Sequence, residues 1–280
     1  MKLKILSIID SEKVLSDYLA ALGDFFSIEG VWEKENSWDI YLPCRTDSKV
    51  IDEIVTFLEN FYKGCLEYNI SDYDDENIDW NAEWKKGFEP VDITDRVTVY
   101  PAWIPVPDEN NKIFVRIDPQ MGFGTGTHET TQLMMELIEK YSNEQQNILD
   151  AGTGSGILSV LSEKINLNAE IVAFDVDPDA IANAQINQKL NECNHIEWLI
   201  GDIEVVPNRK FDLILANINR VILMELIPAL FEKLKQDGIL ILSGILTEEI
   251  YLIKNKCSEL GLYETELRQK NEWTAGVWKL

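Results

Sequence analysis

The stretch Asn147-Ile-Leu-Asp-Ala-Gly-Thr-Gly-Ser-Gly-Ile-Leu-Ser-Val160, followed by Ile171-Val-Ala-Phe-Asp-Val-Asp177, has the pattern of a buried strand, a glycine turn, a helix and a second strand ending in an acid. Gly152, Gly154 and Gly156 leave the backbone bare where it must turn tightly and approach a ligand. Asp175 follows nineteen residues after Gly156, where a carboxylate can accept ribose hydroxyls. The stretch therefore predicts a nucleotide site.

The spacing of the glycines favours one cofactor over another. A dinucleotide fingerprint places its third glycine at the position that is Ile157 here. Glycine at every second position, with no third turn to hold a pyrophosphate, is typical of a site for S-adenosylmethionine (AdoMet), which carries no phosphate. We therefore expect AdoMet rather than NAD.

A glycine-rich turn between a strand and a helix can also be simple punctuation, and such a motif alone is weak evidence. The acid at Asp175 argues against that alternative. Asp177-Pro178 has a local explanation, because an aspartate can cap a helix and proline suits the first helical position. Of the two aspartates, only Asp175 needs a functional role.

The composition describes an ordinary globular protein with a strong negative charge. The chain has 280 residues, of which 45% are hydrophobic and 26% charged, and its net charge is −24. This length allows two domains and a large core. The charge repels a phosphate backbone and attracts cationic partners, so no direct nucleic-acid binding is expected. Acidity that serves solubility alone remains the alternative.

The sequence gives no indication of a membrane, a disulfide framework or a metal. The apolar run near Met1 is too short for a signal peptide core, and no segment approaches eighteen consecutive apolar residues. Four cysteines stand far apart without paired spacing, which predicts reduced thiols and no zinc site. We expect a cytoplasmic protein with no membrane partner.

Residues 1–70 form a pattern different from the rest of the chain. Strand-like segments at 3–9, 28–32, 38–42 and 65–70 alternate with helical patterns through Leu15 to Leu22 and Val50 to Phe61. This βαββαβ order predicts a small ferredoxin-like substrate-recognition domain. Residues 71–95 begin with acids and then carry Trp80, Trp84 and Phe88 at fourfold spacing, which predicts a linker helix that packs an apolar stripe.

Residues 96–280 predict the larger domain. Nearly continuous apolar strands at 148–150, 171–175, 196–199, 211–217 and 239–242 alternate with helical patterns. Such strands form a parallel sheet covered by helices on both faces, a doubly wound α/β fold of the Rossmann-like type. Ligands in these sheets bind beyond the carboxyl ends of the strands, where Gly152, Asp175, Asp202 and Asn217 fall.

A second glycine loop stands upstream, in Asp118-Pro-Gln-Met-Gly-Phe-Gly-Thr-Gly-Thr-His-Glu-Thr-Thr131, and a helical pattern follows it. Thr127 is the expected cap of that helix, and a hydroxyl of Thr130 or Thr131 near its positive end suits a carboxylate such as that of AdoMet. His128 is either a structural histidine at the helix start or a group that relays a proton.

These residues together resemble the ribosomal protein L11 methyltransferase (PrmA) family. The family's loop, Asp-Pro followed by Phe-Gly-Thr-Gly-Thr-His-x-Thr-Thr, stands here from Asp118 to Thr131, and the glycine turn, Asp175 and Ala216-Asn217-Ile218 follow in the family's order. Two departures lie on the acceptor side. Gln120-Met121-Gly122 replaces the more usual Gly-Leu-Ala, and Asn219-Arg220 stands where small or apolar residues are common.

The resemblance implies an AdoMet-dependent protein N-methyltransferase acting on lysine side chains, and on an N-terminal amine, of a basic large-subunit ribosomal protein. It also implies an N-terminal domain that recognises this substrate and swings relative to the catalytic domain. By motif, the resemblance marks Thr131, Gly152, Gly154, Asp175 and Asn217 as AdoMet contacts. The neutral amide oxygen of Asn217 and its backbone carbonyl can also accept hydrogen bonds from the acceptor amine and orient it, and His128 is a weaker catalytic candidate. Asp202 is placed against the adenine amine, or instead bonds to its own turn.

Two other functions share parts of this pattern. Methylation of RNA or of a small-molecule amine uses the same cofactor half, but predicts a basic face or an added lid, and neither is evident in the sequence. A non-catalytic AdoMet-binding protein is the third hypothesis. Asn217 and the upstream glycine loop argue against it.

Overall fold

The computed structural model describes residues 2–10, 15, 19, 22, 26–34, 36–60, 62, 66–74, 88–108, 111–118, 126–142 and 146–280. The chain divides into two compact units, Met1–Gly87 and Phe88–Leu280. Among the described residues, no helix combines the length and the apolar character that a membrane span requires.

The first unit contains a four-stranded antiparallel sheet. Its strands are β1 (Lys2–Ile9), β2 (Gly30–Glu33), β3 (Ser37–Pro43) and β4 (Tyr68–Asp74), and α1 (Ser48–Glu59) precedes β4. The strand order β2-β3-β1-β4 is that of a ferredoxin-like fold, as the sequence predicts. Leu15, Leu19 and Leu22 of the predicted first helix are buried, while most of that segment lies outside the described residues.

The last strand of this unit extends past residue 70, the predicted end of the unit. Ser71 to Asp74 were predicted to begin the linker, but they continue β4 and pair with β1 from Ser71↔Ile5 to Asp74↔Lys2. The sequence did not predict this extension, because Asp72 and Asp74 break the apolar alternation that indicates a strand. Trp80 and Trp84 of the predicted linker helix lie outside the described residues.

The second unit is built on a seven-stranded sheet. The strands are β8 (Asn147–Ala151), β9 (Glu170–Asp175), β10 (Ile196–Ile200), β11 (Phe211–Asn217), β12 (Leu234–Leu246), β13 (Tyr263–Lys270) and β14 (Trp273–Lys279), in the order β10-β9-β8-β11-β12-β14-β13. The first five are parallel, and β14 and β13 close the sheet as an antiparallel hairpin. The order reverses next to β8, which is where ligands bind in such sheets.

Helices cover both faces of this sheet, as its apolar strands predict. They are α2 (Glu129–Tyr141), α3 (Ile157–Ile165), α4 (Pro178–Leu190), α5 (Arg220–Lys233) and α6 (Ile250–Glu259). Successive residues of β8 pack into separate hydrophobic clusters on the two faces of the sheet. Ile148 packs in the cluster that includes α2 and α3, whereas Leu149 packs in the cluster that includes α5 and α6. Asp177 caps α4 by accepting from the Asp179 N–H at 2.8 Å, with Pro178 at the first position, as predicted.

A small three-stranded sheet precedes the large one in this unit. It consists of β5 (Val91–Asp92), β6 (Val97–Pro101) and β7 (Ile113–Ile117), in that order. β7 is tied to α4, because the Asn191 side chain accepts from the Arg116 N–H at 2.8 Å and donates to the Arg116 carbonyl at 2.6 Å.

Candidate functional site

The turn after β8 is held in a conformation that requires glycine. Gly152, Gly154 and Gly156 have φ of 64°, 54° and 78°, in the left-handed region. A Cβ atom on Gly152 would lie 2.8 Å from the Ile218 side chain, so a side chain at this position would also be crowded. The bare backbone predicted from the sequence is therefore present, at the carboxyl edge of the sheet.

Asp175 at the end of β9 is fixed against this turn. Its Oδ2 accepts from the Gly154 N–H at 2.9 Å, and its Oδ1 accepts from the Asp177 N–H at 3.1 Å. The backbone carbonyl of Asp175 accepts from the Gly201 N–H at 2.9 Å, which brings the end of β10 alongside. The carboxylate is thus held in one orientation, half-buried, and retains lone pairs for further donors.

A second carboxyl group, Asp150, lies inside the fold beneath the turn. It is fully buried, and its Oδ2 accepts from the hydroxyls of Thr153 and Ser159, both at 2.6 Å. Burial raises the pKa of Asp150 to about 6, although the two hydroxyl hydrogen bonds oppose that rise. We assigned this residue no role from the sequence, since only the tertiary position of Ser159 reveals the network.

Asn217 at the end of β11 lies beside Thr131 of α2. The Asn217 Nδ2 donates to Thr131 Oγ1 at 3.4 Å, and Thr131 is fully buried. Asn217 Oδ1 is buried and has no hydrogen-bond partner within the described part of the chain. A buried amide oxygen without a donor is unfavourable on its own, so this atom marks a place for an incoming N–H group.

The start of α2 differs from the prediction in its capping residue. Thr127 was expected to cap the helix, but His128 is the cap, and its Nδ1 accepts from the Thr130 N–H at 3.2 Å. The His128 ring also packs edge-on against Trp273, with 5.1 Å between ring centroids. Both contacts suit a structural histidine at a helix start, and the role in proton relay stays a prediction.

Asp202 lies at the same edge, after β10, and is exposed. Its Oδ1 accepts from the Ile203 N–H at 2.7 Å, so it caps the short 3₁₀ turn Ile203–Val205. This is the local bond that we weighed against an adenine contact. The second carboxylate oxygen leaves the adenine role open.

The residues after Asn217 have specific structural partners. Asn219 caps α5 by accepting from the Ile222 N–H at 3.1 Å, and Arg220 forms an ion pair with Glu249 at 2.9 Å. Gly244, with φ of 84°, lies so close to the Ile218 backbone that a Cβ would come within 2.3 Å of the Ile218 carbonyl oxygen. The unusual pair Asn219-Arg220 therefore shapes the start of α5. The departure at 120–122 lies outside the described residues.

The assembled edge has the features that a nucleoside with a charged sulfur needs. It combines a bare glycine backbone, a fixed carboxylate at Asp175 and a buried amide oxygen at Asn217. These groups bind hydroxyls and amines and offer no built cradle for a pyrophosphate. Within the ranges that the structure describes, no group of three or more metal-ligating side chains is close enough to hold an ion.

Comparison with known proteins agrees with this geometry. The family model described as "Ribosomal protein L11 methyltransferase (PrmA)" matches residues 20–279. A ribosomal protein L11 methyltransferase of Ruminiclostridium cellulolyticum is 32% identical over 267 residues, covering 94% of this chain and 82% of that protein. One from Porphyromonas gingivalis is 36% identical over 264 residues, covering 94% of this chain and 88% of its own length.

A solved structure matches much of this chain. The crystal structure of a ribosomal protein L11 methylase from Lactobacillus delbrueckii subsp. bulgaricus superimposes with a TM-score of 0.64 at 29% sequence identity. The match covers 69% of this chain and 98% of that one. The doubly wound α/β fold predicted from the sequence is thereby confirmed.

Proposed function

Because the chain belongs to the ribosomal protein L11 methyltransferase (PrmA) family, we propose that it transfers methyl groups from AdoMet to lysine side chains, and to an N-terminal amine, of ribosomal protein L11. The family membership establishes an AdoMet-dependent methyltransferase. One observation carries the proposal: Asn217 Oδ1 is buried and has no hydrogen-bond partner within the residues that the structure describes, so it can accept from an incoming amine.

Residues at the carboxyl edge of the sheet are proposed to bind AdoMet through separate contacts. When bound, AdoMet supplies an activated methyl group on a sulfonium. The bare backbone at Gly152 and Gly154 allows close approach, Asp175 accepts the ribose hydroxyls, and the Thr131 hydroxyl at the start of α2 donates to the methionyl carboxylate. Asp202 contacts the adenine amine through the carboxylate oxygen that does not cap the 3₁₀ turn.

Asn217 is proposed to orient the acceptor amine. A lysine must lose its proton before it can attack, which costs roughly 4.6 kcal/mol at pH 7. Burial near a positive charge lowers this cost, so alignment by a neutral acceptor is sufficient and a dedicated base is optional. Asn217 Oδ1 accepts a hydrogen bond from the amine, while Nδ2 of the same side chain donates to Thr131 Oγ1. His128 is the weaker candidate: it either shapes the loop before α2 or relays a proton.

The first unit, residues 1–70 in the predicted limits, is proposed to recognise the ribosomal protein. The acidity of the chain supports a basic partner, because its net charge of −24 attracts cations. Residues 71–95 are proposed as the connection, although β4 and β5 occupy its two ends. The remaining residues, 96–280, are proposed as the catalytic domain.

The proposal is tested by labelling. Radiolabelled AdoMet is incubated with the protein and, in parallel, with purified L11 and a ribosome-free extract, and the labelled species are identified by mass spectrometry. We expect label on lysine side chains of L11. Label confined to nucleic acid or to a small amine would reject the protein substrate.

The Asn217→Ala variant tests the role of the amide. We expect kcat on L11 to fall about 100-fold, because an oriented hydrogen bond to the reacting group is lost, while AdoMet affinity changes by less than about 5-fold. Asn147→Ala is the matched control, since that asparagine lies at the opposite, amino end of β8. Full activity of the Asn217 variant would remove the assignment.

The Asp175→Ala variant tests the cofactor site. Two charge-assisted hydrogen bonds are lost, so we expect the Kd for AdoMet in calorimetry to rise about 100-fold or more. Asp179→Ala, an exposed acid in the first turn of α4, controls for the change of local charge. Unchanged AdoMet affinity, or preferential binding of a nicotinamide dinucleotide by the wild type, would contradict this site.

A further inference from the structure

The first turn of α5 exposes two large apolar side chains beside the site. Val221 is 57% exposed and Ile222 is 47% exposed. The helix packs on the sheet through Leu223, Leu226, Ile227 and Leu230, so Val221 and Ile222 are directed away from the core. Val and Ile lower helix propensity, and these exposed side chains add nothing to the core, whereas contiguous exposed apolar groups are common at contact surfaces.

This pair lies next to the reacting groups. The Ile222 N–H donates to the Asn219 cap at 3.1 Å, and Asn219 follows Asn217 by two residues. Ile218 between them lies against Gly152, where an added Cβ would come within 2.8 Å of its side chain. The start of α5 therefore adjoins both the glycine turn and the side-chain amide of Asn217.

Two acids border the apolar pair. Glu225 lies one helical turn beyond Val221 and is exposed, and Glu248 is exposed in the 3₁₀ turn before α6. The ion pair between Arg220 and Glu249, at 2.9 Å, joins these two segments and neutralises the local cation. No ion pair links Glu225 or Glu248 to another residue among those the structure describes. The surface is apolar at its centre and negative at its border.

We propose that this surface, formed by Val221, Ile222, Glu225 and Glu248 and here called the acceptor face, docks the lysine-bearing segment of the basic protein substrate. The aliphatic part of a lysine packs on Val221 and Ile222 while its amine reaches Asn217, and flanking cations of the same segment pair with Glu225 and Glu248. The inference rests on the proposed function. It adds a contact on the catalytic unit itself, which determines which lysines are accepted.

The apolar part is tested with the Val221→Ala/Ile222→Ala double variant. We expect KM for purified L11 to rise about 10-fold, because apolar contact with the segment is lost, with kcat and the AdoMet Kd within about 2-fold of wild type. Leu167→Ala is the matched control. Leu167 is 71% exposed just after α3, at the amino edge of the sheet.

The acidic border is tested with the Glu225→Gln/Glu248→Gln double variant. Its KM for L11 is expected to rise about 5-fold at low salt and to approach the wild-type value at high salt, because screening removes the attraction from both proteins. Glu232→Gln, an exposed acid in the last turn of the same helix, is the control and is expected to leave KM unchanged.

The outcomes separate this inference from the proposed function. If wild type binds AdoMet and methylates no protein, the proposed function fails. If wild type methylates L11 and both double variants keep its KM, the acceptor face is overturned while the function stands. A rise in the AdoMet Kd of the Val221→Ala/Ile222→Ala protein would show that the face covers the cofactor instead, which also overturns the inference.

Discussion

At the scale of single residues, Asp150 and Asp175 show how neighbouring strand ends give two carboxyl groups different tasks. Asp175 is half-buried and accepts from the Gly154 and Asp177 N–H groups at the carboxyl edge of the sheet, where we propose that it binds the ribose. Asp150 is fully buried, and its Oδ2 accepts from the hydroxyls of Thr153 and Ser159. The sequence predicted the position of Asp175 and Asn217, because strand ends follow from apolar runs. It could not predict the Asp150 network, which depends on how α3 turns Ser159 inward.

The raised pKa of Asp150 predicts a particular dependence of stability on pH. Its pKa is about 6 in the folded protein against an ordinary value of 3.8. The folded state therefore binds this proton more tightly than the unfolded state, so stability falls as pH rises from about 4 to about 6 and then levels off. Burying the ionised carboxylate is the cost that remains at neutral pH.

The Asp150→Asn variant removes this titration. We expect its free energy of unfolding, relative to wild type, to be about 1 kcal/mol more favourable at about pH 7.5 than at about pH 5.2. Urea unfolding of both proteins at the two pH values measures this difference, and other titrating groups cancel in the comparison. A difference independent of pH would show that Asp150 does not titrate in this range.

At the scale of elements, the hairpin of β13 and β14 supports the helix that carries Thr131. Glu266 on β13 accepts from Lys140 and from the Tyr141 hydroxyl of α2, both at 2.6 Å, and Arg268 bridges Glu266 at 2.9 Å and Glu136 at 2.8 Å. The sequence did not predict this hairpin. The residues of β13 are mostly polar and exposed, so the period-two pattern that reveals a strand is absent.

The Glu266→Gln variant measures the strength of this connection. Burial alone would raise the pKa of Glu266, but the hydrogen bonds from Lys140, Tyr141 and Arg268 outweigh it and hold the pKa at about 2, below the ordinary value of 4.5. The stabilisation is thus present above about pH 4.5 and is lost only as pH falls towards 2.

At neutral pH we expect Glu266→Gln to lower the Tm by about 2–4 °C, in a thermal melt followed by circular dichroism. Glu264→Gln on the same strand removes a single exposed ion pair with Lys254 and should change the Tm by less than about 1 °C. Equal effects of the two substitutions would mean that the network adds nothing beyond one ordinary pair.

At the scale of the whole molecule, the sequence predicted the order of the parts better than their limits. Long apolar strands identified the parallel sheet and its ligand edge, because continuous burial leaves an unmistakable pattern. β4 continues past residue 70, the predicted end of the first unit, because the acidic sequence that follows gave no strand pattern. The same acidity, spread over the chain, was open to two explanations: attraction of a basic partner, or solubility alone.

Salt dependence of catalysis distinguishes these two explanations. If the net charge of −24 attracts the substrate, KM for L11 should rise about 10-fold between about 0.05 M and 0.5 M KCl, because screening shortens the range of the attraction to a few ångströms. AdoMet is small and is held mainly by short-range contacts, which salt screens little. Its Kd in the same buffers is therefore expected to change by less than about 3-fold, and it serves as the control. The wild-type protein is assayed by initial rates at several L11 concentrations in each buffer. A KM for L11 that stays constant across this range would assign the acidity to solubility, and recognition of the basic partner would then have to depend on contact alone.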